Sequence, residues 1–256
     1  MLIDSHAHID EEKYDNDREE VLENARAAGV ELIINPASDE ESSRRAVALS
    51  EKYPMVYATV GFHPHDAKSY NCKEHGQMLR EWAKKDKVIA IGEIGLDYHY
   101  DLSPRDIQQS VFVDQLMIAK EIALPVVIHN RESMEDMWRL LKEHFSPEVG
   151  GVMHSYSGSV EMARIFLDMG FYLSISGTLT FKNARKLPEV VAMMPLNRLL
   201  VETDSPYMTP TPHRGKRNEP AYVRFVAEEV ARIRGMSIEA LEEITTENTK
   251  RVFGIN

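Results

Sequence analysis

Short apolar runs rich in β-branched residues alternate along the chain with longer stretches of helical periodicity. Short apolar runs bounded by polar turns are typical of buried strands. We predict eight strands on this basis: Leu2–Ser5, Leu32–Asn35, Met55–Val60, Val88–Gly92, Pro125–His129, Gly151–His154, Phe171–Ile175 and Leu199–Glu202.

The stretches between these runs have the spacing of amphipathic helices. Asn16–Ala28 places apolar residues on one face and is followed by Gly29, a typical residue at a helix C-terminus. Arg105–Ile122 has the same periodicity, and the chain ends with two predicted helices, Pro220–Arg234 and Ser237–Val252. Ser237 is predicted to cap the last helix.

Alternation of strands and helices predicts parallel pairing, because each parallel neighbour needs a crossover connection. Eight such units in 256 residues favour an α/β fold, a single (β/α)8 TIM barrel with its active site at the C-terminal ends of the strands. The competing doubly wound sheet usually has a glycine-rich turn after its first strand. Here His6-Ala7-His8 follows the first strand, which favours the barrel.

Histidines and carboxylates recur where the predicted strands end. The third strand leads into a loop with His63 and His65, and the eighth strand ends at Glu202. Because functional groups of barrels lie at these strand ends, six residues are predicted metal ligands: His6, His8, Glu93, His129, His154 and Asp204.

The number and spacing of these residues predict two metal ions. His6 and His8 are two apart on an extended segment, so their side chains project to the same side. Imidazole and carboxylate are the usual ligands of Zn²⁺ and similar ions. Six ligands exceed the need of one ion, so we expect two divalent ions (Zn, Mg or Mn), with Glu93 from a middle strand between them.

Each of these residues also has a structural interpretation. A single histidine at a strand end is more often hydrogen-bonded than metal-bound, Glu93 is able to cap a turn, and Asp204 is able to form an Asx-turn. Their joint placement at strand ends favours the metal centre. Other chemistries have less support, because no G-x-S-x-G elbow is present and Cys72 lies in a polar stretch.

Composition sets wider limits. The length and the 43% hydrophobic content suit one domain over residues 1–256, and no apolar run is long enough for a membrane span. The absence of an export signal and a single cysteine predict a cytoplasmic protein, expected as a monomer or weak oligomer. The net charge of −11 argues against a surface that coats nucleic acid.

Together the motifs resemble the TatD family of metal-dependent deoxyribonucleases over nearly the whole chain. Tyr156 departs from the Cys-Phe that this family often has at that point. The motifs of the resemblance are Ile3-Asp4-Ser5-His6-Ala7-His8, Gly61-Phe62-His63-Pro64-His65, Gly92-Glu93-Ile94-Gly95-Leu96-Asp97-Tyr98, Pro125-Val126-Val127-Ile128-His129, His154-Ser155-Tyr156-Ser157-Gly158, Leu200-Val201-Glu202-Thr203-Asp204-Ser205-Pro206, Phe112-Val113-Asp114-Gln115 and Arg214-Gly215-Lys216-Arg217-Asn218-Glu219-Pro220.

The resemblance implies a (β/α)8 barrel that hydrolyses DNA phosphodiester bonds from an end. It implies that His6, His8, Glu93 and Asp204 hold one ion, and Glu93, His129 and His154 the other. Asp204 and Glu93 are the expected catalytic residues, with Asp204 as the acceptor of a proton from the attacking water.

Two residues at neighbouring strand ends are candidates for phosphate contacts. They are His63 and Arg131, and arginine offers a forked donor that matches phosphate oxygens. His63 has the alternative of fixing its own loop beside Pro64. Arg131 has the alternative of pairing with Asp97 or Glu132.

The segment His213-Arg214-Gly215-Lys216-Arg217 concentrates basic residues in an acidic chain. It follows the loop after the eighth strand, so it is expected to attract a polyanion toward the metals, or else to be a solvated face. The alternative function is a metal-dependent amidohydrolase or esterase that acts on a small molecule or an aminoacyl-tRNA ester, because the same activated water attacks carbonyl groups.

Overall fold

The computed structural model describes residues 1–255 of the chain. Its strands form one parallel sheet whose order follows the chain from β1 to β8, and helices alternate with them. The predicted (β/α)8 fold class is therefore confirmed. The strands are β1 (Leu2–Asp4), β2 (Val30–Asn35), β3 (Val56–Val60), β4 (Val88–Asp97), β5 (Val126–Arg131), β6 (Gly151–Met153), β7 (Tyr172–Ile175) and β8 (Leu199–Val201).

The α-helices agree closely with the amphipathic stretches. The predicted Arg105–Ile122 helix is found with the same bounds, and Ser237 caps the last helix by accepting the backbone N–H of Ala240. Across residues 1–255 the helices are α1 (Arg18–Ala27), α2 (Glu40–Lys52), α3 (Glu74–Trp82), α4 (Arg105–Ile122), α5 (Met134–His144), α6 (Val160–Asp168), α7 (Leu187–Met193), α8 (Val223–Arg234) and α9 (Ile238–Phe253).

Some boundaries differ from the prediction. The predicted Pro220–Arg234 helix begins as a 3-10 turn, Pro220–Tyr222, before α8. Strand β4 extends five residues beyond Gly92, because Gly95 and Asp97 pair in register with His129 and Arg131 of β5. All ten residues of β4 are buried. The extension places Glu93, Gly95 and Asp97 on the same strand, with a register shift between Ile91 and Ile94.

The chain divides into two compact units. The first comprises Met1–Asn35, Ser155–Asp168 and the chain from Tyr172 onward, and the second comprises Pro36–His154 and Met169–Phe171. The single domain expected for residues 1–256 stays a prediction.

The first unit contains β1, β2, β7 and β8. Strand β1 pairs with β2 and β7 pairs with β8, while the Ser5 backbone N–H donates to the Val201 carbonyl and so links β1 to β8. Helices α8 and α9 pack against β1 and β8. The core includes Ile33, Leu200 and Val226, all fully buried. The carboxyl ends of these parallel strands therefore lie at one edge of the unit.

The second unit contains β3 to β6. Strand β4 pairs with β3 and β5, and β5 pairs with β6. Helix α4 packs against β4 and contributes Phe112 to a core that includes the buried Ile91 and Ile128. The carboxyl ends of β3 to β6 share one edge of this unit in the same way.

Candidate metal centre

The first unit brings three of the predicted ligands together. His6 and His8 follow β1, and Asp204 follows β8. The Nε2 atoms of the two histidines lie 3.2 Å apart. The Asp204 Oδ1 atom lies 3.8 Å from His6 Nε2 and 3.7 Å from His8 Nε2. Two imidazole nitrogens and one carboxylate oxygen thus converge on one point.

Main-chain hydrogen bonds hold this cluster. The Asp204 N–H donates to the His6 carbonyl over 2.9 Å, and the His8 N–H donates to the Ser205 carbonyl over 2.8 Å. Asp204 has a φ of 56°, a left-handed conformation that aspartate tolerates better than most residues. A residue held in this conformation at a strand end is typical of functional sites.

The separations within this cluster fit a divalent cation. Metal–ligand bonds of about 2.0–2.1 Å in tetrahedral geometry place neighbouring ligand atoms about 3.3–3.4 Å apart. The three separations in the cluster, from 3.2 to 3.8 Å, bracket this value. His6, His8 and Asp204 therefore fit a cation both in donor type and in spacing.

The second unit brings three histidines around Glu93. From Glu93 Oε1, the His129 Nδ1 atom lies 2.8 Å away, His154 Nε2 lies 3.0 Å away and His63 Nε2 lies 3.5 Å away. Glu93 and His63 are buried, at 2% and 8% exposure. Burial of this many ionisable groups is costly unless they are paired or ligate a metal. The donor types of Glu93, His129 and His154 fit a second cation.

Asp97 is a member of this cluster that the sequence prediction did not include. The carboxylate is fully buried, and its Oδ2 atom lies 3.0 Å from both His65 Nε2 and His129 Nε2. Its Oδ1 atom accepts the backbone N–H groups of His99 and Tyr100. Burial acts to raise the pKa of Asp97, but the hydrogen bonds from His129 and His65 outweigh it and hold the pKa well below its usual range.

The Asp97 carboxylate orients His129. A histidine that binds a metal through one ring nitrogen usually places its other nitrogen against a carboxylate. Here Nδ1 faces Glu93 and Nε2 faces Asp97. Burial acts to lower the pKa of His129, but the hydrogen bonds with Asp97 and Glu93 raise it. Had β4 been predicted to continue past Gly92, its alternation would have placed Asp97 on the same face as Glu93.

His63 is suited to donate a hydrogen bond. Its Nδ1 atom accepts the backbone N–H of His65 over 3.2 Å. Burial, followed by the charge of His129, lowers the pKa of His63 to about 3, so the ring is neutral. The single ring proton must then lie on Nε2. Although ligand atoms of His63, Glu93 and His129 lie within 4.8 Å of one another, His63 presents an N–H rather than a lone pair.

The sequence of this chain matches known proteins over its full length. The family model described as TatD related DNase matches residues 3–254. The chain belongs to this family.

Individual members support the assignment. YabD of Bacillus subtilis (strain 168), an uncharacterized metal-dependent hydrolase, is 50% identical over 256 residues, with all of both chains covered. The 3'-5' ssDNA/RNA exonuclease TatD of a Rahnella species (strain Y9602) is 34% identical, with 95% of each chain covered. The crystal structure of YJJV, a TatD homologue of Escherichia coli k12, superposes with a TM-score of 0.93 at 34% identity, covering 100% of this chain and 98% of that one.

The resemblance noted in the sequence is thus confirmed, and the general prediction of a metal-dependent hydrolase agrees with the names of these relatives. Among residues 1–255 no helix is both long and apolar enough to cross a membrane. The cytoplasmic location and the oligomeric state stay predictions.

Arg131 of this TatD-family chain lies at the end of β5. Its guanidinium lies 4.7 Å from the centroid of the Tyr100 ring, which is 53% exposed. Neither alternative ion pair is formed within the part of the chain that the structure describes, since Asp97 bonds to histidines and Glu132 bonds to His99. The phosphate contact proposed for Arg131 stays a prediction.

Helix α4 supplies two buried glutamines that hold the loops of the second cluster. Gln115 accepts the Phe62 N–H over 2.8 Å and donates to the Phe62 carbonyl over 3.0 Å, immediately before His63. Gln108 accepts the Asp97 N–H and donates to the Asp97 carbonyl. The sequence places Gln115 in a family motif, but its role follows only from these contacts.

Two glycines allow β4 and β5 to approach closely. A Cβ atom on Gly92 would lie 2.7 Å from the Cβ atom of Val127. Gly95 has a φ of 146°, and a Cβ atom there would overlap the carbonyl oxygen of His129. Only glycine allows the close approach at Gly92 and the positive φ at Gly95. These two positions therefore fix the distance between Glu93 and His129.

Proposed function

We propose that this chain is a divalent-metal-dependent nuclease that hydrolyses phosphodiester bonds of DNA from an end. The observation that supports it most directly is the pair of ligand clusters at strand ends: His6, His8 and Asp204 in one unit, and Glu93, His129 and His154 in the other. Family membership and the name of the Rahnella relative support the nucleic-acid substrate.

Two ions are proposed, one for each cluster, with zinc, magnesium and manganese as the candidates. A bound divalent cation supplies Lewis acidity, which makes water a better nucleophile and offsets phosphate charge. The bridging position of Glu93 between two ions stays a prediction.

The residues of the chain have separate roles in the proposed reaction. The Asp204 carboxylate accepts a proton from the attacking water, since its Oδ1 atom lies within 3.8 Å of His6 and His8 at the first cluster. The His63 Nε2–H group donates to a non-bridging phosphate oxygen, as its tautomer allows. Glu93 holds His129 and His154 in place, and the Arg131 guanidinium contacts phosphate.

The test uses metal-loaded protein and end-labelled single- and double-stranded DNA, with the label at either end. We expect label release that requires Mg²⁺, Mn²⁺ or Zn²⁺. Asp204→Asn should lower kcat by about 10²–10⁴-fold, the usual contribution of a general base. His129→Ala should also abolish release, while His144→Ala, in the last turn of α5 and paired with Glu143, should not.

One outcome would overturn the proposal. If the metal-loaded protein cleaves no DNA but hydrolyses carboxylic esters or amides, the amidohydrolase or esterase alternative replaces the nuclease.

Metal content tests the two-ion hypothesis separately. Elemental analysis of purified protein should give two ions per chain. A His6→Ala/His8→Ala variant should retain one ion, and a His129→Ala/His154→Ala variant should retain the other. A single ion in the unaltered protein would contradict the assignment.

A further inference from the structure

In two segments of the first unit, every charged residue is a lysine or an arginine. Residues 177–187 follow β7 and residues 205–218 follow β8, and neither contains an aspartate or glutamate, although the whole chain has a net charge of −11. We call the exposed cations of these segments the β7–β8 basic surface. Its members are Lys182, Arg185, Lys186, Arg214 and Lys216.

The two segments are joined to each other. Thr211 donates to Thr180 through both its backbone N–H and its hydroxyl, over 2.9 and 3.2 Å. The Arg214 guanidinium lies 3.7 Å from the centroid of the Phe181 ring. A Cβ atom on Gly177 would overlap the carbonyl oxygen of Met208. The cations of both segments therefore belong to one continuous surface.

Most of these cations are available to a ligand. The side chains of Lys182, Arg185 and Lys216 form no hydrogen bond or ion pair with any other residue in the range 1–255. Lys186 is less available because it lies near Glu161 of α6 and helps to lower the pKa of that carboxyl, after the larger effects of the hydrogen bonds that Glu161 accepts. Arg217, by contrast, is paired with Asp17 and does not belong to the surface.

The segment after β1 has the opposite charge. Residues 5–17 contain five carboxylates and one lysine, Lys13; two of the carboxylates are paired with Arg18 and Arg217, and the other three leave the segment acidic. A polyanion near His6, His8 and Asp204 is therefore repelled by the segment after β1 and attracted by the segments after β7 and β8. The charge asymmetry within this unit therefore favours a polyanion that extends from the first cluster over the segments after β7 and β8.

We propose that the β7–β8 basic surface binds the backbone phosphates of a polynucleotide beyond the nucleotide being removed. This inference rests on the proposed nuclease function and specifies its substrate class: chains of several nucleotides rather than dinucleotides or small phosphate esters. Lysines and arginines that contact phosphates without reading bases provide affinity that is independent of sequence and sensitive to salt.

The experiment compares two variants with the same change in net charge. Lys182→Glu/Lys216→Glu reverses one cation in each basic segment. Lys120→Glu/Lys142→Glu is the control, because both lysines are exposed in the last turns of α4 and α5, away from the strand ends. Matching thermal unfolding of the two variants establishes that both fold.

Metal-loaded enzyme is assayed on a 20-nucleotide single strand and on a dinucleotide, and binding of a phosphorothioate 20-mer is measured by anisotropy. We expect the KM for the 20-mer to rise about tenfold in the test variant, with kcat and the KM for the dinucleotide unchanged. Each phosphate contact to a single strand contributes about 0.7 to the slope of log affinity against log salt concentration. Loss of two contacts should therefore reduce this slope by about 1.4. Between 50 and 200 mM salt this slope change corresponds to about sevenfold.

The outcomes separate this inference from the proposed function. If both variants match the unaltered enzyme in KM and salt slope, the basic surface does not bind the substrate and the inference is wrong. If the unaltered enzyme cleaves neither substrate, the nuclease function fails, and equal anisotropy for the two variants then also overturns the binding surface.

Discussion

Replacement of Asp97 by asparagine tests how the second cluster is organised. The asparagine would retain an oxygen for the backbone N–H groups of His99 and Tyr100, but its NH₂ group would face the histidines that Asp97 now accepts from. A neutral His129 would then have to accept at Nε2 and carry its proton on Nδ1, toward Glu93. A cation that binds His129 at Nδ1 would have to displace that proton, so metal affinity should fall.

The size of the effect follows from these contacts. Loss of a carboxylate behind a metal-bound histidine usually lowers metal affinity by 10- to 100-fold, which is about 1.4–2.7 kcal/mol. Asp97 also makes two hydrogen bonds with histidines, each worth about 1.5–3 kcal/mol when one partner is charged. The two bonds together set an expected loss of about 3–6 kcal/mol in the unfolding free energy of the metal-free variant.

The stability loss should depend on pH in a defined direction. The pKa of Asp97 is depressed in the folded chain, so its stabilisation is present above about pH 4 and disappears as the pH falls. The pKa of His129 is raised, so its stabilisation is present below about pH 6.5 and disappears as the pH rises through the folded value. The difference between the two proteins should be largest between about pH 4 and 6.5.

Calorimetric titration of Zn²⁺ and urea unfolding of the metal-free chain measure the two effects. Asp136→Asn is a matched control, because within residues 1–255 Asp136 accepts its hydrogen bonds from Tyr98, Gln109 and Arg139 and from no histidine. If Asp97→Asn binds Zn²⁺ within twofold of the unaltered chain, Asp97 does not orient a ligand and the tautomer argument is wrong.

Three further predictions concern the same unit and its metals. Gln115→Leu should lower the unfolding free energy by about 2–6 kcal/mol in urea, because both main-chain groups of Phe62 lose a buried partner; a loss no larger than that of the partly exposed Gln109→Leu would contradict this. Gly95→Ala should abolish metal binding at the cluster of His129, measured by elemental analysis, and retention of both ions would refute the steric argument. Chelation should lower the Tm and restored metal should recover it, since ligands that bind only the folded state stabilise it; an unchanged Tm would count against the ions.

The sequence predicted the strands and helices because their signals are local. Apolar β-branched runs and helical periodicity depend on neighbours a few residues away, and α4 was predicted with the same bounds that the structure has. The end of β4, by contrast, was predicted at Gly92. Pairing with β5 extends the strand to Asp97, and that pairing is tertiary.

The candidate site divides in the same way. The sequence by itself determined which histidines and carboxylates stand at strand ends, because a strand's end and the residue after it are adjacent in the chain. Only the tertiary structure decided that Asp97 orients His129, that Gln115 holds the loop of His63, and that the two basic segments are joined. These arrangements depend on distances between residues far apart in sequence, which packing alone sets.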